Sequence, residues 1–106
     1  MAFVDGFPIS PGHTLIVPRR HEADLLALPV EEQWAIWSLI APARQRIEAQ
    51  GGVPDGYNIG VNIGAAAGQT IAHAHVHLIP RWHGDVADPR GGVRWVVPSK
   101  AAYWTA

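Results

Sequence analysis

The sequence predicts one α+β domain in which strands flank a single long helix. Three observations predict it. Histidines recur at every second position in Gly68-Gln69-Thr70-Ile71-Ala72-His73-Ala74-His75-Val76-His77-Leu78-Ile79-Pro80, which is the period of a β-strand. Tyr57 to Gly64 alternates in the same way, with Tyr57, Ile59, Val61 and Ile63 on one face and Asn58, Gly60, Asn62 and Gly64 on the other. The two stretches are separated by the small-residue turn 65–68 and read as adjacent antiparallel strands. Pro29 to about Gln50 carries apolar residues at helical spacing.

Taken in order, Ala2-Phe3-Val4 is a short strand closed by the turn Asp5-Gly6. Phe7 to Gly12 is a loop, because Pro8 and Pro11 fix φ and Gly12 admits conformations other residues avoid. His13 to Pro18 is a β-branched strand, and Arg19-Arg20-His21 is its solvated end. In the helix, Pro29 suits a first helical position, and Glu31 and Glu32 favour the positive end of the dipole. Trp34, Trp37 and Ala41 share one side, and Ile36, Leu39, Ile40 and Ile47 widen it to an arc that suggests burial against more than one surface. The tryptophans are expected to pack rather than to stack on a ligand. Pro42 removes the hydrogen bond to Ser38 and should kink the helix, which Gly51-Gly52 ends. Beyond Pro80 the chain is irregular, apart from a short strand expected at Trp95-Val96-Val97-Pro98. The terminal pair Tyr103-Trp104 is either docked on its own chain or used against a partner.

Composition narrows the function classes. With 48% hydrophobic and 16% charged residues the chain is too apolar to be disordered, and its 106 residues suit one domain. A net charge of −1 argues against a general nucleic-acid binder, although Arg81, Arg90, Arg94 and Lys100 outnumber Asp85 and Asp88 in the last quarter. The absence of cysteine removes thiol nucleophiles, disulfides and thiolate-bound zinc. No apolar run approaches the roughly 20 residues that span a bilayer. The chain is expected to be a soluble cytoplasmic protein that binds neither membrane nor nucleic acid.

Three imidazoles on one strand face need a use. A neutral imidazole attacks phosphorus well once a hydrogen bond to its other nitrogen fixes the tautomer. His75 is central, with His73 and His77 on either side to donate to phosphoryl oxygens or to help protonate a leaving group. The stretch Gly64 to Thr70 offers backbone N–H groups and a hydroxyl to phosphates, and His13 and Asn62 can reach the same place from neighbouring strands. Zinc binding by His73, His75 and His77 with His13 or His21 is the competing chemistry. A purely structural use would require a buried partner for each ring. His21 and His83 read as exposed.

The block Gly68-Gln69-Thr70-x-x-His73-x-His75-x-His77-Leu78-Ile79-Pro80 resembles the signature of the histidine triad (HIT) family of nucleotide hydrolases and transferases. Ser10 to His21 and Tyr57 to Asn62 resemble two further blocks of that family. Arg81, Gly84-Asp85 and Asp88 to Trp95 are similar to its bacterial diadenosine tetraphosphate hydrolase-like branch. The resemblance implies a single HIT-like α+β domain over 1–106, mostly antiparallel sheet with one long helix, paired as a homodimer through helix packing. It implies that His75 attacks the α-phosphate of a dinucleoside polyphosphate or nucleoside phosphoramidate and forms a nucleotidyl-histidine that water resolves. By position His77 and His13 resemble phosphate-contacting histidines, and His73 the outer triad member that orients the site. Asn62, Gln69 and Thr70 resemble phosphate-holding residues. Phe3 and Asp5 resemble the base-stacking and ribose-binding positions. Against the family pattern the chain is expected to be N-terminally shortened, with Gly6 where a larger apolar residue often lines the base pocket. No metal site and no cofactor are expected beyond Mg²⁺ carried on the substrate phosphates. A catalytically weak nucleotide-binding module is the alternative within the family.

Overall fold

The computed structural model describes residues 1–105. Four strands, β1 (Ala2–Val4), β2 (Thr14–Ile16), β3 (Gly56–Val61) and β4 (Val76–Arg81), form one antiparallel sheet in the order β1-β2-β4-β3. The helices α1 (Val30–Ser38) and α2 (Ile40–Gly51) lie between β2 and β3 in sequence, and a single turn, α3 (Pro98–Ala101), follows the sheet. No helix among the described residues is long and apolar enough to cross a membrane.

Alternation along β4 sorts its two faces. Val76, Leu78 and Pro80 are buried, while His77, Ile79 and Arg81 point the other way. Val76 and Leu78 join Ile16 of β2 and Ile36, Ile40, Ala43 and Ile47 of the helices in one core. The apolar back expected behind the histidines is therefore the floor of the core. Gly12 makes the approach to β2 possible. Its φ is +88°, and a Cβ there would meet Ile47 Cγ2 at 3.2 Å and Pro80 Cγ at 3.3 Å.

Several elements depart from the sequence reading. The helix is two pieces meeting at Leu39, whose N–H turns back to the Ile36 and Trp37 carbonyls. The break at Leu39 directly follows Ser38, whose carbonyl Pro42 cannot serve, so the kink expected from the proline is present as a full interruption. Pro29 caps α1 rather than opening it, and Gly52 ends α2 with φ +86°. The expected helix arc splits in two: Ile36, Ile40 and Ile47 are buried, but Trp34 and Trp37 are 67% and 60% exposed. Both tryptophans face away from the core of their own chain. The strand expected at 95–98 is instead a 3-10 helix, Gly92–Val96, followed by α3; Gly91 and Gly92, at φ +94° and +50°, turn the backbone out of the extended form just before it.

The tail docks on its own chain. Arg90 lies 4.7 Å over the Trp104 ring and Arg94 4.8 Å over Tyr103. Arg94 also donates to the carbonyls of Lys100 (2.6 Å) and Ala101 (3.1 Å), while Arg90 pairs with Asp88. Most of the cationic surplus of this segment is thus spent internally.

Candidate active site

The histidine strand begins later than its period suggests. The last ladder pairs are Ile16 with Val76 and Val61 with Val76, so neither β2 nor β3 continues alongside His73 and His75. These two sit in an extended lead-in fixed by other bonds. The Ala74 N–H donates to the Glu22 carbonyl (2.7 Å), and the His73 Nε2–H donates to the Pro18 carbonyl (2.8 Å). Ala74 is buried between them, so the alternation survives without the ladder.

Three rings do form a row, but not the expected three. His75 and His77 have centroids 5.0 Å apart, and His77 and His13 are 5.1 Å apart. His73 stands outside this row, edge-on to exposed His21 at 5.3 Å. His13 is 97% buried from solvent (3% exposed) and reaches His77 from the start of β2.

Backbone partners fix the hydrogens. A carbonyl only accepts and an amide only donates, so each contact decides a tautomer in the neutral ring. The His75 Nδ1–H donates to the His73 carbonyl (2.9 Å), which leaves the Nε2 lone pair free. The Ile9 N–H donates to His13 Nδ1 (3.2 Å), which puts the His13 hydrogen on Nε2. That nitrogen lies 2.9 Å from His77 Nδ1 and 3.5 Å from Asp5 Oδ2. Burial lowers the pKa of His13, against the opposing pull of Asp5. Burial also lowers that of His77, helped by His75 and His13 and opposed by Asp5. Both shifts favour the uncharged ring at neutral pH.

A groove of about 690 Å³ runs from His13 and His77 along the exposed face of β4. Asp5 and Asn62 line it beside the histidines, and Gly60, paired with His77 across the ladder, leaves its floor open. The Arg81 guanidinium ends it, donating in a fork to Asp85 (2.7 and 2.8 Å) and to Asn58 Oδ1 (2.6 Å). The Arg81 hydrogen bonds hold the Asp85 carboxyl far below the usual carboxylate range. Phe3 shares a lateral row with Leu15 and His77, and it borders a separate depression of about 250 Å³ with His73 and His75. Val86 and Val93 of the tail form part of the larger groove's wall. The sequence reading did not single these two out, since no periodicity marks an irregular segment. Arg81 and Ile79 could have been found by continuing the His77 alternation.

The loop before the histidines is more tied than a cradle would be. The Gln69 side chain accepts from the Gly64 N–H (2.9 Å) and donates to the carbonyls of Ala23 (2.8 Å) and Ile71 (3.1 Å). The N–H groups of Ala67, Gly68 and Gln69 also bond within the loop. Gln69 therefore braces the loop in this structure, and Thr70 beside it is exposed.

The geometry also corrects the zinc alternative. Among the described residues the cluster whose ligand atoms converge, all within 4.8 Å, is Asp5, His13 and His77, not His73, His75 and His77. Even that set is a poor fit. His13 Nε2 carries its hydrogen as long as Nδ1 receives the Ile9 amide.

Comparison with known proteins follows the same lines. A family model described as the HIT domain matches residues 1–84. A HIT-like protein of Saccharolobus solfataricus, itself uncharacterized, is 40% identical over 89 residues, covering 80% of this chain and 60% of that protein. An AP-4-A phosphorylase of Mycobacterium tuberculosis is 36% identical over 85 residues, covering 79% of this chain and 43% of that protein. The crystal structure of a HIT family protein from Bacillus anthracis superposes with a TM-score of 0.74 at 39% identity, covering 79% of this chain and 59% of that one. The chain thus spans about 60% of the length of the first of these relatives.

Proposed function

The chain belongs to the HIT domain family, and from that premise we propose that it is a nucleotide hydrolase or nucleotidyl transferase acting at the α-phosphate. The substrate is a dinucleoside polyphosphate or a nucleoside phosphoramidate. One observation carries the reading: the His75 Nδ1–H is held by a peptide carbonyl, so its Nε2 lone pair is free, and the ring stands 5.0 Å from His77, which lines a groove large enough for a nucleotide. In the first step Nε2 attacks the α-phosphorus. The P–N bond forms, and the bond to the leaving group breaks with its electron pair going to the leaving group, which takes up a proton. The positive charge that arises on His75 is shared with the His73 carbonyl. In the second step water attacks the same phosphorus, the P–N bond breaks with its electron pair returning to His75 Nε2, the water gives up a proton to solvent, and nucleoside monophosphate leaves. Inorganic phosphate in place of water would give a nucleoside diphosphate, the outcome that the name of the phosphorylase relative suggests.

The same reading includes a homodimer, supported by exposed Trp34 and Trp37 on α1 and by Ile59 and Val61, which lie on the core face of edge strand β3 yet remain 45% and 37% exposed.

The test is a panel of diadenosine polyphosphates and adenosine phosphoramidate, with the parent chain and His75→Ala assayed together. The parent should release adenosine nucleotide, and the variant should lose about 10⁴-fold or more in kcat, as when an attacking side chain is removed elsewhere. Equal turnover by both would overturn the assignment of the nucleophile.

A further inference from the structure

We propose that His13 is a positioning residue: it holds His77 as a neutral donor to a phosphoryl oxygen and not as the acid that protonates the leaving group. The inference rests on the reading of His75 as nucleophile and assigns its two neighbours. The relay starts at an atom with no freedom. The Ile9 N–H can only donate, and it donates to His13 Nδ1. The His13 hydrogen is thereby on Nε2, aimed at His77 Nδ1 at 2.9 Å. His77 must then accept at Nδ1 and carry its own hydrogen on Nε2. Every hydrogen in the chain points away from Ile9 and toward the groove.

Charging His77 would place an N–H on Nδ1 against the N–H of His13. Moving the His13 hydrogen to Nδ1 would only shift the opposition to the Ile9 amide. Turning the His13 ring over would exchange both bonded nitrogens for carbons, inside a site where the ring is 3% exposed. The groups that face this pair are Asp5, whose Oδ2 lies 3.5 Å from His13 Nε2, and His75 on the far side of His77. The carboxylate stands 3.5 Å from His13 Nε2 without forming a hydrogen bond to it, and it does not reverse the direction of the His13 hydrogen. A hydrogen bond to the neutral form disfavours the charged one. His77 is thus a hydrogen-bond donor that keeps its proton, and the leaving group takes its proton from water or another donor.

The experiment uses the full chain labelled with ¹⁵N, with histidine tautomers read from long-range ¹H–¹⁵N spectra at neutral pH. The parent should show His77 protonated on Nε2. His13→Gln can accept from Ile9 through its oxygen and donate to His77 through its nitrogen, so it should keep that tautomer. His13→Leu should give mixed His77 tautomers. In turnover, His13→Leu should lower kcat by about tenfold equally for the p-nitrophenyl ester of AMP and for adenosine phosphoramidate, and His13→Gln should restore most of it. A merely structural role would not separate Gln from Leu by tautomer. His77 protonated on Nδ1 in the parent would overturn the proposal, as would an unchanged His77 tautomer in His13→Leu. A loss confined to the poor leaving group would do the same, because it would mark His77 as the acid. Should His13→Leu fail to fold, the parent and His13→Gln spectra still decide. Absence of turnover on every substrate would count against the proposed function alone, since the tautomer is measured without substrate.

Discussion

His77 and Gly60 face each other across the β3–β4 ladder, and the pair shows how a site can be tuned without touching the core. A Cβ on Gly60 would meet nothing within 4 Å. Gly60→Ala should therefore fold at least as well as the parent, since alanine loses less backbone entropy in a strand. Its methyl would stand in the groove beside His77, so KM should rise, by about tenfold for a misfit of about 1.4 kcal/mol. Denaturant unfolding and steady-state kinetics on the same sample check both halves, and an unchanged KM would show that the substrate does not lie over Gly60. The histidines also set a pH dependence. His13 and His77 have folded pKa values below their ordinary 6.5, so the unfolded chain binds more protons than the fold as pH falls past that point. Stability is full above about pH 7 and declines through 6.5 toward the lower folded values. Urea midpoints at pH 7.5 and 5.5 should differ in that order, and equal midpoints would refute the claim. The depressed carboxyl of Asp85 acts in a separate window, below its ordinary 3.8.

At the level of elements, the loop ahead of β2 fits closely against the core. Gly12→Ala combines an unfavourable φ with contacts to Ile47 and Pro80 closer than van der Waals distance. It should cost about 1–3 kcal/mol, read as a lower urea midpoint, and it should disturb His13, the next residue. A midpoint equal to the parent's would mean that the loop can relax. The same region shows what the sequence made legible. The period-2 pattern read over 57–64 and 71–80 is a local property, and strands form within both stretches, but only at Gly56–Val61 and Val76–Arg81. Where a strand stops depends on its neighbours, and nothing near His73 says that β2 ends at Ile16. The helix face was readable as apolar, but periodicity cannot tell a core from a partner surface, and Trp34 and Trp37 fall on that ambiguity. His13 was legible as a residue able to reach the site. Its place in the ring row was not, because that depends on a backbone amide four residues earlier. The tail has no period at all, and its order comes from two arginines over two aromatic rings.

On the scale of the whole molecule, the sheet separates two surfaces with different tasks. One carries the groove. The other receives the helices and leaves Trp34, Trp37, Ile59 and Val61 open, the apolar area on which the proposed dimer rests. The double variant Trp34→Glu with Trp37→Glu should keep the fold, since both side chains are more than half exposed. It should also convert a dimeric mass to a monomeric one at micromolar concentration, as measured by light scattering. A monomeric parent would refute the pairing. The division of β4 into a buried half and a groove half has a consequence for the integrity of the protein in use. A copy zipped one residue out of step would carry imidazole and guanidinium into oil and present leucine to water. Such a copy could not persist as a folded but inactive impostor. Quality control is thus built into the strand itself, since only the register that buries Val76, Leu78 and Pro80 also sets His77 on the groove face.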